Sequence, residues 1–355
     1  MFESIQADKA LVQLIARETP PILDVRSEGE FAESHVPGFT NIPILDNSER
    51  HQVGLTYKNE GNEAAVKLGY ALFNPHREER LNAWKNLARE KQIWVSCWRG
   101  GLRSKLACQF LEESKANPVQ IVGGYKALRA QIKAPLKNPP SMFVLSGMTG
   151  NGKTDLLERI THSVIDLEAL AHHRGSAFGS HIGCAQPTQA QFENELGLAV
   201  HRNPQGFVVE DESLRIGNIF LATEFKEKMN ASPTLLLNAT LEERSVRVFN
   251  GYVKTPLEKG MEPSIVQNSF QAALARIRPK LGGLLHDQIL KSMQDAFSGE
   301  LTPDRHSAWI ESLLLHYYDG LYQFSLQRKP RTFIFQGNFQ ECLEWLQQNL
   351  PKKSA

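Results

Sequence analysis

The stretch that most constrains the fold is Gly147-Met-Thr-Gly-Asn-Gly-Lys-Thr154, which satisfies the pattern G-x-x-x-x-G-K-[ST] in full. It follows the apolar, strand-like segment Met142–Ser146 and precedes the helical run Asp155–Ile160, which is the context that a phosphate-binding loop requires. In such a loop, backbone N–H groups wrap around phosphate oxygens, a lysine adds positive charge, and a hydroxyl can bind Mg²⁺. The phosphate-binding residues are expected to be Gly147, Gly150, Gly152, Lys153 and Thr154. The loop predicts a phosphate ligand but leaves open the molecule that carries the phosphate.

Acidic residues end a later strand of the same region. The apolar segment Gly206–Val209 is followed by Glu210, Asp211 and Glu212. One of these acids, with Asp211 as the candidate, is expected to hold a Mg²⁺ water, as the second acidic element of P-loop enzymes does. The choice among the three stays open, and a solvated turn would need the same residue types.

A third polar segment lies between these two motifs, over residues 166–179. His173 and Arg174 precede a turn rich in glycine and serine, so they could bind a second anion or a base. Capping and loop packing would use similar residues, and the composition does not decide between the two interpretations.

The first part of the chain has its own strand–loop–helix unit, built around Cys97. Ile93–Val95 predicts a buried strand, a glycine pair predicts a tight turn, and Lys105–Leu111 runs at helical spacing. Several N–H groups should converge there beside the positive end of the helix dipole, which favours a reactive thiolate at the mouth of the loop. The residues expected to bind an anion beside it are Arg99, Gly100, Gly101 and Arg103. A buried structural cysteine is the alternative.

The chain of 355 residues is too long for one ordinary core, so two domains are expected. Strands alternate with helices, which predicts α/β domains with parallel sheets. Pro135–Pro140 breaks both helix and strand, and we predict the boundary there, between domains over 1–136 and 137–355. Residues 44–62 lack periodicity and predict a long loop, whereas 255–328 predict a mainly helical C-terminal part.

Cysteine usage and charge suggest where the protein works. Cys97, Cys108, Cys184 and Cys342 are scattered without C-x-x-C spacing, which argues against a disulfide framework and against a zinc site. No apolar run has the length of a membrane span and the N-terminus has no signal pattern, so a reduced cytoplasm is expected. Residues 83–137 contain eleven Lys and Arg but only three Glu, within a chain of net charge +1. That basic zone suits an anionic partner such as nucleic acid, although a solvated surface would also account for it.

Taken together, these motifs resemble known families. Residues 1–133 resemble a rhodanese domain. The motifs that carry this resemblance are Asp24-Val-Arg26, Glu30-Phe31, His35-Val-Pro-Gly38, Asn41-Ile-Pro43, the Cys97 loop and Gly123-Gly-Tyr125. The P-loop segment, with residues 166–179 and Glu210-Asp-Glu-Ser213, resembles the second half of the tRNA 2-selenouridine synthases. Cys97–Ser104 and Gly123–Arg129 resemble that family too. The resemblance implies a rhodanese-like domain followed by a P-loop NTPase-like domain with a helical C-terminal part.

The family's chemistry implies a tRNA whose wobble base is already 2-thiouridine. A geranyl group from geranyl diphosphate is first placed on the sulfur, and selenium from selenophosphate then replaces the geranylated sulfur. By this resemblance, Cys97 would carry selenium or otherwise promote the exchange, with Arg99 and Arg103 on the selenophosphate. The P-loop would seat geranyl diphosphate, Mg²⁺ could assist, and no tightly bound cofactor is implied. A selenophosphate-supplying enzyme would be a partner.

Other functions remain open at the level of the sequence. Cys97 and Arg103 have the C-x5-R spacing of some phosphatases, although the loop offers no acid for the leaving oxygen. A P-loop kinase or nucleotide hydrolase with a regulatory rhodanese domain would turn over ATP without tRNA. A non-catalytic tRNA-binding module would keep all its function after Cys97→Ser.

Overall fold

The computed structural model describes residues 2–89, 92–328 and 331–351. The strands are Glu3–Ile5 (β1), Ile22–Asp24 (β2), Thr40–Asn41 (β3), Gln92–Ser96 (β4), Asn117–Ile121 (β5), Met142–Ser146 (β6), Val164–Ile165 (β7), Phe207–Glu210 (β8), Arg215–Ile216 (β9), Ile219–Phe220 (β10), Thr234–Leu237 (β11) and Phe333–Gly337 (β12). The helices are Ala7–Ala16 (α1), Glu28–Glu33 (α2), Asn47–Glu60 (α3), Asn62–Phe73 (α4), Arg77–Ala88 (α5), Leu102–Glu113 (α6), Gly124–Lys137 (α7), Lys153–Glu158 (α8), Leu167–Ala171 (α9), Gln189–His201 (α10), Thr223–Asn230 (α11), Leu241–Val248 (α12), Thr255–Glu258 (α13), Pro263–Leu281 (α14), Gly283–Phe297 (α15), Pro303–Leu313 (α16), Asp319–Arg328 (α17) and Phe339–Asn349 (α18). A 3-10 turn spans Asn74–His76, and π-helical turns span Phe249–Lys254 and Leu314–Tyr318.

The chain forms two compact units, and one of them is discontinuous in sequence. The first unit contains Met1–Pro135 together with Thr188–Arg202, and the second contains Leu136–Pro187 and Asn203–Ala355. Helix α10 therefore belongs to the first unit, although it lies within the predicted second domain over 137–355. Its Leu198 lies in the same buried cluster as Tyr125 and Ile132.

The first unit is built on a parallel five-stranded sheet in the order β1-β5-β4-β2-β3. Its central strand β4 is buried along Ile93–Ser96, as expected for a strand covered on both faces. Two buried clusters lie in this unit, one containing Leu14, Trp94 and Tyr125, the other containing Val95 and Trp84. The sheet brings the carboxyl end of β4, and with it Cys97, to one edge of the core.

The expected loop over residues 44–62 is wrong, because α3 spans most of it. Helix α3 begins with a capping box, in which Asp46 accepts from the Glu49 N–H at 2.8 Å and Glu49 accepts from the Asp46 N–H at 2.9 Å. Glu49 is also its only buried residue. A helix that buries so little carries no apolar stripe, so periodicity could not reveal it.

The second unit is built on a parallel sheet in the order β12-β11-β6-β8-β7, with a small antiparallel hairpin of β9 and β10. Strand β6 lies at the centre and runs directly into the phosphate-binding loop. Helices α12 to α17 follow β11, and many of them pack on a cluster that includes Phe270, Met293 and Trp309. The predicted α/β class and the helical C-terminal part are confirmed. Among the residues described, none of the helices combines the length and the apolar character needed to cross a membrane.

A buried histidine in this helical part should make stability depend on pH. His306 is fully buried against the rings of Phe249 and Phe297, and it accepts a hydrogen bond from Trp309 Nε1 at 3.1 Å. Burial, with Arg305 nearby, lowers the pKa of His306 to about 4. The unfolded chain therefore takes up a proton first, and stability present above pH 6.5 is lost as the pH falls towards 4.

We expect wild-type protein to lose roughly 2–3 kcal/mol of unfolding free energy through this residue between pH 7 and pH 4. In His306→Gln, which keeps an acceptor for Trp309 but does not titrate there, that part of the pH dependence should vanish. Urea unfolding of both proteins at several pH values measures the difference in slope. Parallel slopes would show that His306 does not contribute.

Candidate active site

Cys97 follows β4 directly. The carbonyl groups of the loop that begins at Cys97 accept hydrogen bonds from residues that lie outside the loop. The N–H groups of Tyr125 and Lys126 donate to the carbonyls of Cys97 and Trp98, both at 2.9 Å. Gln120 Nε2 donates to the carbonyl of Gly100 at 2.8 Å. Because a trans peptide directs its N–H opposite to its C=O, the amides that follow these carbonyls face the other side of the loop. Those amides are the donors that an anion at the N-terminus of α6 would meet.

Two glycines allow this loop to lie against the start of α7. Gly124 has φ +54°, and a Cβ there would lie 2.1 Å from the carbonyl oxygen of Cys97. Gly100 has φ +61°, and a Cβ there would lie 2.7 Å from the N of Gly123. The two glycine turns can therefore approach each other only without side chains.

The thiol itself lies at the base of the loop, and the prediction that it sits at the mouth is wrong. Cys97 is 2% exposed, and its Sγ lies 3.2 Å from Ser104 Oγ, to which it donates. Ser104 also receives a hydrogen bond from Gln120 Nε2 at 2.8 Å. Sequence reasoning did not single out Ser104, although its place directly after Arg103, one residue beyond the cysteine loop, was a usable signal. Cys97 is buried because β4 is central in its sheet and because Cys97 lies in the same buried cluster as Ala107 and Leu111 of α6.

The two arginines of the loop have different surroundings. Arg99 is exposed. Arg103 donates two hydrogen bonds to the Glu30 carboxylate, at 2.6 and 3.2 Å, so its guanidinium is already paired. Burial alone would raise the pKa of Glu30, but the hydrogen bonds and charge of Arg103 outweigh it and lower that pKa. An anion at this loop would meet Arg99 directly and would share Arg103 with Glu30.

The other three thiols lie outside the cysteine loop. Burial, with Cys97 nearby, raises the pKa of Cys108 to about 12, and burial raises that of Cys342 to about 11. Both thiols therefore stay protonated at neutral pH. Cys184 is exposed, with its Sγ 3.8 Å from His172 Nδ1.

In the second unit, the phosphate-binding loop has the predicted backbone form between β6 and α8. Gly150 and Gly152 have φ of +83° and +89°, values that glycine adopts without strain. Lys153 Nζ donates to the carbonyls of Gly147 and Met148, at 2.8 and 3.3 Å. The ammonium group thus lies over the loop. When a phosphate binds, its oxygens would replace these carbonyls as the acceptors of the Lys153 hydrogen bonds.

Asp211, the expected metal-binding acid, is held by other groups. Its carboxylate contacts Lys226 and Arg331 and accepts from Ser146 Oγ at 2.9 Å. Two cations thus neutralise it, and none of these contacts is with Thr154.

Glu168 is the acid that contacts Thr154, and Glu212 in turn contacts Glu168. Thr154 Oγ1 donates to Glu168 at 3.3 Å, and the Glu168 and Glu212 side chains are hydrogen-bonded to each other. Burial, with Glu168 beside it, raises the pKa of Glu212 to about 8, and burial also raises that of Glu168. Glu210 is buried, accepts from the Glu168 N–H at 2.8 Å, and has a second carboxyl oxygen with no hydrogen-bond partner among the described residues. Its pKa is raised well above the usual range by burial. The sequence singles out Glu210 and Glu212, together with Asp211, as candidate acids, but not Glu168. Glu168 lies on α9, and only the fold brings it to Thr154.

These oxygens fit a hard divalent cation. Thr154, Glu168 and Glu212 offer a hydroxyl and two carboxylates, which are the ligand types that Mg²⁺ prefers. In the part of the chain that the structure describes, no three His, Cys, Asp or Glu side chains converge as a metal cage. A cation here would take its remaining ligands from water and from phosphate oxygens, and it would supply charge stabilisation to the leaving phosphate.

His173 and Arg174 differ in what they can bind. His173 is 7% exposed, and burial, with Arg276 nearby, lowers its pKa. Its neutral, covered ring is not presented to a ligand. Arg174 donates to the Gly251 carbonyl at 2.7 Å and lies 4.4 Å above the Tyr252 ring. Arg174 also lines the cavity over the phosphate-binding loop.

That cavity, of about 900 Å³, adjoins a second one. It is lined by the loop, by the three glutamates and by Arg174 and Tyr252. A groove of about 380 Å³ shares Arg174, Gly251, Tyr252, Thr255 and Lys259 with it. Apolar residues line much of the rest of the groove, namely Phe178, Ile182, Pro256, Met261 and Phe270. A molecule with a phosphate end and an apolar end could therefore occupy both.

Comparison with known proteins gives the chain its relatives. A family model described as the tRNA 2-selenouridine synthase AAA domain matches residues 140–353, and the rhodanese-like domain model matches residues 7–131. A protein of Shewanella oneidensis named tRNA 2-selenouridine synthase is 37% identical over 345 residues, covering 92% of this chain and 91% of that protein. Proteins with the same name from Alcanivorax borkumensis and Bordetella bronchiseptica are each 37% identical over 346 residues, covering 92% of this chain and 95% and 94% of theirs.

Proposed function

The chain belongs to the tRNA 2-selenouridine synthase family, and from that premise we propose that it converts wobble 2-thiouridine in tRNA to 2-selenouridine through an S-geranyl intermediate. Geranyl diphosphate and selenophosphate are the proposed co-substrates. The observation that carries the family's reaction over to this chain is the match along 92% of its length, which includes both motif-bearing loops.

In the first step, the thiocarbonyl sulfur attacks C1 of geranyl diphosphate. A carbon–sulfur bond forms, the carbon–oxygen bond to diphosphate breaks, and N3 of the base loses its proton. Lys153 and the loop amides are positioned to bind the departing diphosphate, whose charge grows as the bond breaks. The continuity of the phosphate cavity with the apolar groove supports geranyl diphosphate as the ligand, because the diphosphate and the ten-carbon chain need these two environments.

In the second step, the Cys97 sulfur adds at C2 and geranyl thiol leaves with the proton of the Cys97 thiol. The selenium of selenophosphate then adds at C2 and expels the Cys97 sulfur, which takes up the proton that the selenium loses. Water then cleaves the phosphorus–selenium bond and releases phosphate, so no oxidant or reductant is needed. Alkylation matters here because a thiocarbonyl sulfur leaves poorly, whereas an alkylated sulfur leaves as a thiol. We assign Cys97 to this step, with Arg99, Gly100, Gly101 and Arg103 as the anion-binding residues. Because the thiol is buried, the loop must open around it for C2 of the base to reach Sγ.

The experiment is a reconstitution with thiolated anticodon stem–loop RNA, followed by mass spectrometry of the nucleosides. Geranyl diphosphate alone should give S-geranyl-2-thiouridine, and adding selenophosphate should convert it to 2-selenouridine. Selenium incorporation at full rate without geranyl diphosphate would contradict the intermediate. Turnover of ATP without RNA, with no change to the RNA, would favour a nucleotide hydrolase instead.

A further inference from the structure

A second apolar cavity, of about 590 Å³, lies in the first unit between α3, α4 and the beginning of α6. Its volume is within the range of roughly 300–1,000 Å³ that small-molecule sites occupy. Apolar side chains form most of its wall, among them Val53, Leu55, Val66, Tyr70, Leu106 and Phe110. No step of the proposed function has yet used it.

The wall of this groove, which we call the α3–α4 groove, leaves large apolar side chains open to solvent. Leu55, Tyr57 and Leu102 are 46%, 58% and 50% exposed, and Tyr70 is 39% exposed. Single exposed apolar residues are ordinary, but four around one concave surface mark a binding site. The side chains of α3 and α4 thus line a cleft between the helices but leave its volume open to a ligand.

The groove reaches the helix that follows the cysteine loop. Leu102 and Arg103 are the first two residues of α6, directly after the loop that begins at Cys97, and both line the groove. Leu106 and Phe110 extend the same wall by one and two turns of α6. A molecule held by the loop therefore has an apolar surface beside it in the same unit.

Cationic side chains outnumber acidic ones around the groove. Arg50, Lys58 and Arg103 line it, together with His51, and one carboxylate, that of Glu30, pairs with both arginines. A purely lipid-like ligand would not need this rim, whereas an apolar chain attached to a nucleic acid would bring phosphates to it.

We propose that the α3–α4 groove binds the geranyl chain of the S-geranylated wobble base during selenium exchange. This inference rests on the proposed function and adds a recognition site for its intermediate. The groove would hold the alkyl chain while the loop at Cys97 acts on C2 of the same base. It would also let the unit distinguish geranylated from unmodified 2-thiouridine, since only the former fills the groove.

Two helical glycines allow the groove to be filled without disturbing the fold. A Cβ at Gly54 meets nothing within 4 Å, and one at Gly69 only approaches Val53 Cγ2 at 4.0 Å. Leucine at either position should favour the helix, because glycine is a poor helix former. Gln52→Leu, on an exposed position of α3 that does not line the groove, is the matched control.

The test uses full-length protein, selenophosphate and two preformed RNAs, one with S-geranyl-2-thiouridine and one with S-methyl-2-thiouridine. We expect Gly69→Leu to convert the S-geranyl RNA at least tenfold more slowly than wild type and Gln52→Leu. Conversion of the S-methyl RNA should be the same in all three, and thermal unfolding should confirm that each variant folds.

Wild-type rates of Gly69→Leu on the S-geranyl RNA would overturn the groove assignment, and so would an equal loss on both RNAs. In either case wild-type protein still converts the S-geranyl RNA, so the proposed function survives. If wild-type protein converts neither RNA, the proposed function fails and the groove assignment fails with it.

Discussion

Cys97→Ser is expected to abolish 2-selenouridine formation while S-geranyl-2-thiouridine accumulates. The serine hydroxyl fits the buried position and can still contact Ser104, so the fold and RNA binding should be retained. What is lost is the nucleophilic sulfur, since a hydroxyl is a far weaker nucleophile. We expect a fall in selenium incorporation of at least about 100-fold, as is usual when a nucleophile is removed. Nucleoside mass spectrometry of tRNA from cells that carry the variant measures both products.

Two other cysteine variants serve as controls for Cys97→Ser. Cys184→Ser removes an exposed thiol of the second unit, and Cys108→Ala removes a buried thiol from the same apolar cluster as Cys97. Both should keep selenium incorporation near wild type. If 2-selenouridine persisted in Cys97→Ser, the thiol would have no chemical role, and a tRNA-binding module would describe the first unit better.

Lys153→Ala is expected to block the earlier step, the formation of the S-geranyl intermediate. Removing the ammonium group from the loop removes charged hydrogen bonds to the diphosphate, each worth about 1.5–3 kcal/mol. That corresponds to a loss of roughly 10- to 150-fold in geranyl transfer. The rate is measured with thiolated RNA and geranyl diphosphate, with no selenium donor present.

Lys254→Ala is the matched control for Lys153→Ala, because it removes an exposed lysine of the same unit whose Nζ lies 3.7 Å from a Glu258 carboxylate oxygen. The preformed S-geranyl RNA separates the steps further: Lys153→Ala should still convert it to 2-selenouridine, whereas Cys97→Ser should not. Normal geranyl transfer by Lys153→Ala would show that the loop does not hold the diphosphate.

The parts of the site that short motifs encode could be predicted from the sequence. A phosphate-binding loop needs glycines at fixed positions between a strand and a helix, and β6, Gly150, Gly152 and Lys153 have that arrangement. The loop after Cys97 also joins a strand to a helix and also contains a glycine with positive φ, Gly100. In both places the backbone conformation depends on neighbouring residues, so the printed sequence contains most of the information.

The parts that depend on distant contacts could not be predicted. Glu168 approaches Thr154 only because β8 and α9 lie beside the loop, and Asp211 is neutralised by Lys226 and Arg331 from further along the chain. The burial of Cys97 likewise follows from the central place of β4 in its sheet. None of these contacts has a signature in spacing or composition.

Helix α10 has a consequence for how the protein is made. Asn194 Nδ2 donates to the carbonyl of His35 and to Tyr125 Oη, at 2.9 and 3.0 Å. At Gly197 a Cβ would lie 2.3 Å from the carbonyl oxygen of Ile132, so this helix is fitted closely to the unit it joins. The ribosome must therefore release the chain through about residue 202 before the unit bearing Cys97 can close its core. By then the phosphate-binding loop has also emerged, but the sheet that holds it still awaits β8, β11 and β12, so the unit bearing Cys97 can close its core before the second unit does.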